Sequence, residues 1–245
     1  IKYIAHISDL DFGYIHRTIR FLKRIDTILT TDEEYDIQKK YIGRYFSGTN
    51  LPVPESIYYS IEDILGSELI KKNVSGNKIL VGNSASISGN HNYAFYYLSK
   101  ININKRQIIV PLSYGNNNKY INHILNKGKN LFGTNFIPIM RFLPLNEYND
   151  LLLECSVCVF ANWRQEAVGN IVVALYLGAK VFLSKRSPLL LHYRNLGIFV
   201  YELENIDQDQ LDTPLTEIEK SHNRNIIYKI FCRDNIIYNI IKVWN

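Results

Sequence analysis

The sequence predicts an α/β protein built on a parallel β-sheet with helices on both faces. Between Lys78 and Ser184, short apolar segments alternate with amphipathic ones, which is the pattern of strands buried on both sides of a sheet. Small polar residues follow the ends of the apolar segments, as they do at the ligand-binding edge of open parallel sheets. The chain has 245 residues and is 47% hydrophobic, so it can bury a substantial core.

The alternation is regular enough to place each element. Apolar runs predict strands and 3.6-residue periodicity predicts the intervening helices. The predicted strands span residues 78–82, 107–112, 135–140, 156–161 and 180–184, and the predicted helices span 91–100, 117–130, 145–154 and 168–178.

The two ends of the chain carry weaker patterns. Residues 16–26 place apolar side chains on one stripe and cations on the other, as an amphipathic helix does. A short strand at 28–29 follows. Residues 30–34 then predict the start of a second helix, which runs to about residue 41. Residues 43–55 contain two prolines and are predicted to form a connection or edge element, the candidate interdomain linker.

Residues 215–244 predict one or two helices that pack on the rest of the chain. The alternative is a basic helix that lies on a membrane surface.

Composition narrows the class of partner. The net charge is +5, which favours an anionic partner, but there are no dense Lys/Arg tracts of the kind that bind nucleic acid. The chain has three cysteines, Cys155, Cys158 and Cys232. No further soft ligands are placed near them to complete a zinc site, so they are predicted to be buried thiols. No run of about 20 apolar residues could span a bilayer, so a soluble or peripheral protein is expected. Because the first residue is not Met, the chain is expected to be part of a longer protein.

The first polar loop contains Gly82, Asn83 and Ser84, directly after the first strand of the predicted sheet. Glycine lets a ligand approach the backbone, and the Asn and Ser side chains offer donors to phosphate oxygens. The following helix starts with Asn90 and His91, where its positive terminus favours an anion and a neutral imidazole could donate. The other interpretation is an ordinary turn with Asn90 as a cap and an exposed histidine.

The second polar loop follows the fourth strand and contains Trp163, Arg164, Gln165 and Glu166, with Gly169 and Asn170 opening the next helix. A guanidinium and an amide just before a helix terminus suit the binding of a diphosphate. A large apolar ring in a polar loop, such as that of Trp163, usually packs over a ligand or another side chain. The alternatives are that Arg164 pairs with Glu166 and that Asn170 caps the helix. If the strand order reverses between these strands, both loops face one crevice, which predicts a nucleotide or nucleotide-linked ligand.

Two further candidates are less specific. Tyr114 lies after the second strand, on the same edge, and either lines the crevice or forms a turn. Asp9 lies in a short acidic loop and is a candidate general base, although aspartates are common in turns.

Taken in order, these motifs resemble glycosyltransferase family 56, the 4-alpha-L-fucosyltransferase family. That family is typified by a bacterial enzyme that transfers 4-acetamido-4,6-dideoxygalactose from its dTDP-sugar to a polyprenyl-diphosphate-linked disaccharide in enterobacterial common antigen synthesis. Family members read Arg-Gln-Gln-Gly-Ile-Gly where this chain has residues 164–169, so only the outer positions correspond. The resemblance covers about residues 16–200 and rests on residues 79–84, 90–91, 110–120, 148–152, 155, 164–169 and 178.

The resemblance implies a GT-B architecture, in which two Rossmann-like domains face each other across a cleft. Residues 1–55 would be the remainder of the acceptor-side domain with its linker, residues 56–212 the donor-binding domain, and residues 213–245 helices that cross back. Gly82, Asn83 and Ser84 would meet the donor diphosphate, and Asp9 would be the base.

The function that the resemblance implies is transfer of a deoxyamino sugar from a nucleotide diphosphate donor to a polyprenyl-diphosphate-linked saccharide. No cofactor or metal is expected, because Arg164, Gln165 and the helix that opens at Gly169 would neutralise the leaving group. The net positive charge of the chain would help to hold the anionic acceptor at the inner face of a bacterial membrane. Two alternatives remain open: a non-catalytic nucleotide-sugar-binding module and a nucleotide-sugar 2-epimerase on the same fold.

Overall fold

The computed structural model contains two parallel sheets. Strands β1 to β3 form the first sheet, in that order, and β4 to β9 form the second, in the order β6-β5-β4-β7-β8-β9. The residues that the structure describes are 4–6, 22–25, 27–30, 33–34, 36, 39, 48–52, 59–115 and 117–244.

Apolar, often β-branched segments form strands β4 to β8, as the sequence predicts. The strands are β1 Ile4–His6, β2 Thr27–Thr30, β3 Thr49–Pro52, β4 Lys78–Val81, β5 Ile108–Pro111, β6 Phe136–Ile139, β7 Cys155–Phe160, β8 Lys180–Leu183 and β9 Tyr201–Glu202. The helices are α1 Ile61–Leu69, α2 His91–Leu98, α3 Asn118–Phe132, α4 Leu145–Leu153, α5 Val168–Leu177, α6 Pro188–Asn195, α7 Gln208–Asp212, α8 Glu217–Phe231 and α9 Arg233–Trp244.

The six-stranded sheet carries the alternating region, and the five predicted strands and four predicted helices of that region are confirmed within a few residues. All of its strand pairs are parallel, including the central pair of β4 and β7, where Leu80 aligns with Cys158. Helices cover both faces, which is why β5 and β8 are buried at every position.

The core lies on both faces of this sheet. One cluster packs α5 and α8 against β7 and β8, and the other packs α2 and α3 against β4 and β5. Helix α5 is buried at most positions because it lies between the sheet and α8. Cys155 and Cys158 are buried in β7, and burial raises the pKa of the Cys155 thiol to about 12. Both thiols are therefore inert core residues.

The amino-terminal part is described only in pieces. The predicted strand at 28–29 is confirmed as β2, and residues 49–52 form an edge strand rather than a helix. Of the predicted helix at 16–26, the structure describes residues 22–25, where Leu22 and Ile25 are buried. Asp9 lies outside the described residues.

The carboxy-terminal part forms two helices. Helix α8 packs against α5, where the Arg224 guanidinium donates to the Tyr176 carbonyl (2.9 Å). Helix α9 begins at Arg233, whose guanidinium donates to the Asp63 carboxylate of α1 (2.7 Å). The predicted packing of these helices on the rest of the chain is confirmed. None of the helices in the described ranges is long and apolar enough to cross a bilayer.

Candidate active site

The sheet order brings the two polar loops together. Strands β4 and β7 are hydrogen-bonded neighbours, so the chain reverses its strand order between them, and ligands bind at such a point in open α/β sheets. The amide of Asn90 donates to the Ala161 carbonyl (3.1 Å), and the amide of Asn162 donates to the Ser88 carbonyl (3.3 Å). The loops after the first and fourth strands of the sheet therefore touch.

Gly82 opens the first loop in a left-handed conformation that favours glycine. Its φ is +70°, and its amide donates to the Val159 carbonyl of β7 (2.9 Å). A Cβ at this position would lie 2.7 Å from Nε2 of His91. Gly89, on the other side of the same imidazole, would bring a Cβ within 3.1 Å of Cε1. Gly82 and Gly89 of this loop therefore pack against the His91 ring from two sides.

His91 is fully buried at the first position of α2. Its Nδ1 lies 2.9 Å from the Tyr120 hydroxyl, and its main-chain amide donates to the same hydroxyl (3.3 Å). Burial lowers the pKa of His91 to about 4, so the ring is neutral near pH 7. The alternative of an exposed histidine is wrong. Among the described residues, Nε2 has no hydrogen-bond partner, and it points at the Gly82 backbone.

Glu166 is the carboxylate that ties the two loops together. Ser88 donates its hydroxyl to Oε1 (2.8 Å), and Asn162 donates its amide to Oε2 (2.6 Å). The guanidinium of Arg164 forms an ion pair with Oε1 and also donates from Nε (2.5 Å). The predicted alternative in which Arg164 pairs with Glu166 is therefore what the structure shows. The Arg164 side chain is 48% exposed and keeps an open face toward solvent.

Helix α5 begins directly after this loop. Ala167, the residue before its first turn, has a φ of +61°. Asn170 does not cap the helix, because its side-chain carbonyl accepts from the Tyr148 hydroxyl (2.6 Å). Among the described residues, no atom lies within 4 Å of a Cβ added at Gly169. Their packing does not require glycine at that position, and the backbone faces space that they leave open.

Two cavities adjoin the first loop. One, of about 220 Å³, is mainly apolar and is lined by Asn83, Pro111, Ile139, Phe142, Tyr148 and Asn170, among others. The other, of about 660 Å³, lies between residues 84–87 and the turn of Tyr114, Gly115 and Asn117. Tyr114 lines both cavities. Asn83 and Ser84 each line one of the two cavities.

A second cluster at the same edge was missed by sequence reasoning. The guanidinium of Arg186 stacks on the Trp163 ring at 4.3 Å from its centroid. The residue that Trp163 covers is therefore a cation from the loop after β8. Glu204 accepts from the main-chain amide of Lys185 (2.8 Å) and from the hydroxyl of Tyr93 (2.8 Å). The sequence feature that could have revealed this cluster is the pair Lys185-Arg186, which lies just after the buried strand β8.

The segment that follows β2 contributes two adjacent glutamates to this region. The buried carboxylate of Glu34 accepts from the main-chain amide of Gln165 (3.0 Å). Glu33 lies 3.1 Å from Nδ1 of His192 and accepts from the amide of Asn195 (2.9 Å), both on α6. The segment after β2 therefore contacts the second polar loop directly. In the described part of the chain, no three His, Cys, Asp or Glu side chains form a metal-binding group.

Solved structures share this fold. The sucrose-phosphate synthase of Thermosynechococcus elongatus superposes with a TM-score of 0.67 at 11% identity, over 96% of this chain and 61% of that one. Anabaena HepE, solved with UDP and glucose, gives 0.66 at 12% identity, over 99% and 71%. The α,α-trehalose 6-phosphate synthase of Burkholderia multivorans gives 0.63 at 10% identity, over 93% and 60%. This chain thus spans about 61% of the length of the first of these proteins.

These similarities and the six-stranded parallel sheet define the fold as that of the GT-B glycosyltransferases. Residues 45–231, well over half of the chain, match the model of the family described as 4-alpha-L-fucosyltransferase glycosyl transferase group 56. The chain belongs to that glycosyltransferase family.

Proposed function

We propose that this protein transfers a deoxyamino sugar from a nucleotide diphosphate donor to a polyprenyl-diphosphate-linked saccharide during surface polysaccharide assembly. The observation that carries the proposal is the contact between the two polar loops at the point where the strand order reverses. The family and the GT-B fold support sugar transfer. Residues 56–212 would bind the donor, and the parts around β1 to β3 would belong to the acceptor side.

The donor would lie along the carboxyl edge of the six-stranded sheet. Its base would occupy the apolar cavity beside Phe142 and Tyr148, which is large enough for a planar ring. Its diphosphate would lie between residues 82–84 and the start of α5, where the open space beside Gly169 lets an oxygen approach the helix terminus. Arg164 would donate to the diphosphate through the guanidinium N–H groups that Glu166 leaves free.

The chemistry divides between the two sides of the cleft. The acceptor hydroxyl attacks the anomeric carbon as the bond to the nucleotide diphosphate breaks, and a base removes the hydroxyl proton. Asp9 is the proposed base. The leaving diphosphate gains negative charge in the transition state, and Arg164 together with the positive terminus of α5 would stabilise it. At the inner face of the membrane, the net positive charge of +5 would favour an anionic acceptor.

The decisive variants change the donor site without loosening the fold. Gly169→Ala adds a methyl group into open space and slightly favours the helix, so stability should hold or rise by about 0.5 kcal/mol. Affinity for UDP or dTDP, measured by calorimetric titration, should nevertheless fall. Arg164→Ala should weaken binding about ten-fold or more, because Glu166 would then face the diphosphate without its cation. Lys129→Gln, in the last turn of α3, is the control.

Mass spectrometry of reactions with nucleotide sugars then separates the proposed transfer from the two alternatives. Transfer of the sugar to an acceptor supports the proposal. Nucleotide binding without any product would instead indicate a binding module, and a free isomerised sugar would indicate an epimerase. If Arg164→Ala leaves both donor affinity and turnover intact, the assignment of the leaving-group site is wrong.

A further inference from the structure

The Trp163–Arg186 stack is a cationic surface that the donor site does not use. The central carbon of the guanidinium lies over the indole, 4.3 Å from the ring centroid, and Trp163 remains 43% exposed. A stacked guanidinium keeps the N–H groups of its edge free to donate to two oxygens of a phosphate. Among the described residues, neither Arg186 nor its exposed neighbour Lys185 forms an ion pair, whereas Arg164 is paired with Glu166.

The stack is held rigidly from beneath. Tyr93 packs edge-on against Trp163, with ring centroids 5.9 Å apart and planes at 89°. The hydroxyl of Tyr93 donates to Glu204 (2.8 Å), and Glu204 also accepts from the hydroxyl of Ser184 (2.9 Å). The same Ser184 hydroxyl accepts from the main-chain amide of Arg186 (3.2 Å). The guanidinium is therefore preorganised, which lowers the entropic cost of binding an anion.

The stack lies next to the donor site without overlapping the first loop. Strands β7 and β8 pair in parallel, with Phe160 opposite Leu183, so the residues that follow both strands share the carboxyl edge of the sheet. Gly82 follows β4, on the other side of β7. A phosphate held by Arg186, after β8, would thus bind two strands further along the edge than a diphosphate held at Gly82, after β4.

Aromatic rings extend from the stack along α2. Tyr93 packs on Tyr97, and Tyr97 packs on Tyr96, each with ring centroids 5.1 Å apart. Tyr96 is 52% exposed, and the ammonium of Lys100 lies 3.8 Å above its ring. A cationic end that continues into a partly exposed aromatic row matches a ligand with an anionic head and an apolar chain.

We propose that Trp163, Lys185 and Arg186 bind the diphosphate of a prenyl diphosphate, with the tyrosine row against the first units of its chain. This rests on the proposed function, in which such a diphosphate belongs to the acceptor. Arg186 binds two phosphate oxygens through the edge of its guanidinium, and Lys185 adds a second charge. The acceptor is then held by the donor-binding domain itself, beside the loop that holds the sugar donor.

The test uses the fluorescence of Trp163. The chain has two tryptophans, Trp163 and Trp244, so Trp244→Phe isolates the emission of the stacked ring. Titration with geranyl diphosphate should give a saturable change. Arg186→Gln should weaken this binding about ten-fold or more, and Arg186→Lys should weaken it less, because it keeps the charge but loses the planar fork. Lys129→Gln, at the far end of α3, should change nothing.

Two further measurements distinguish the ligand and separate this inference from the proposed function. Affinity for UDP and dTDP should be unchanged by Arg186→Gln. Absence of geranyl diphosphate binding, equal affinity in Arg186→Gln, or competition by UDP or dTDP would overturn the inference, while nucleotide binding alone would leave the donor site standing. If Arg186→Gln loses only the association with phosphatidylglycerol vesicles and still binds geranyl diphosphate, the surface is a membrane contact and the inference is also wrong.

Discussion

Gly82→Ala tests the packing at the centre of the candidate site. Its φ of +70° costs an alanine about 1–2 kcal/mol. The added Cβ would also lie 2.7 Å from Nε2 of the buried His91, which cannot move without disturbing its contact with Tyr120. Overpacking of this kind costs about 1–3 kcal/mol more. We therefore expect Gly82→Ala to lower the free energy of unfolding by about 2–5 kcal/mol.

A double-mutant cycle separates these two contributions. In a His91→Ala background the clash disappears, and Gly82→Ala should cost only the backbone penalty of about 1–2 kcal/mol. The coupling between the two sites should thus be about 1–3 kcal/mol, read from urea unfolding followed by far-UV circular dichroism. Gly169→Ala is the matched control, because its Cβ meets no atom of the described residues within 4 Å. An equal cost of Gly82→Ala in both backgrounds would refute the reasoning.

Three further predictions concern buried polar groups. The pKa of His91 is lowered to about 4 in the folded chain. Between pH 6.5 and 4, the histidine is therefore protonated in the unfolded chain but stays neutral in the folded chain. Stability should fall across that window by about 3 kcal/mol as the pH drops, and His91→Gln should flatten the decline. Glu34→Ala should cost about 1–3 kcal/mol and speed hydrogen exchange at the Gln165 amide, whereas the exposed Asp36→Asn should do neither. Lys180→Met should cost about 1–3 kcal/mol in thermal or urea unfolding, because two carbonyls lose their donor at 2.7 and 3.0 Å; an unchanged midpoint would contradict this.

The sequence was informative about the sheet because strands β4 to β8 are mostly apolar and are separated by segments long enough for helices. Burial on both faces of a parallel sheet leaves that signature in the residues themselves. The adjacency of the two polar loops was also predictable, since it follows from the strand order of a common α/β topology. Strand β9 was missed because it has only two residues, Tyr201 and Glu202, too few for any period to show.

The partners of individual side chains were beyond sequence reasoning. Glu166 and Ser88 are 78 residues apart, and Glu34 and Gln165 are 131 apart. Such contacts depend on the packing of whole elements, which no local pattern encodes. His91 shows the same limit. Its position at a helix start was clear, but its burial between two glycines of the preceding loop was not.

The polar contacts of Glu166 bear on how the candidate site works. Two neutral donors from Ser88 and Asn162 and one cation, Arg164, converge on that carboxylate, so the protein's own side chains join the two loops. A site joined in advance does not have to order its loops when it binds, and it loses less conformational entropy. The negative charge of Glu166 offsets part of the charge of Arg164. In the proposed donor site, much of the attraction for a diphosphate would therefore come from main-chain amides and the start of α5. That balance suits a donor that must bind, react and leave, because a fully unpaired arginine would also hold the product diphosphate tightly.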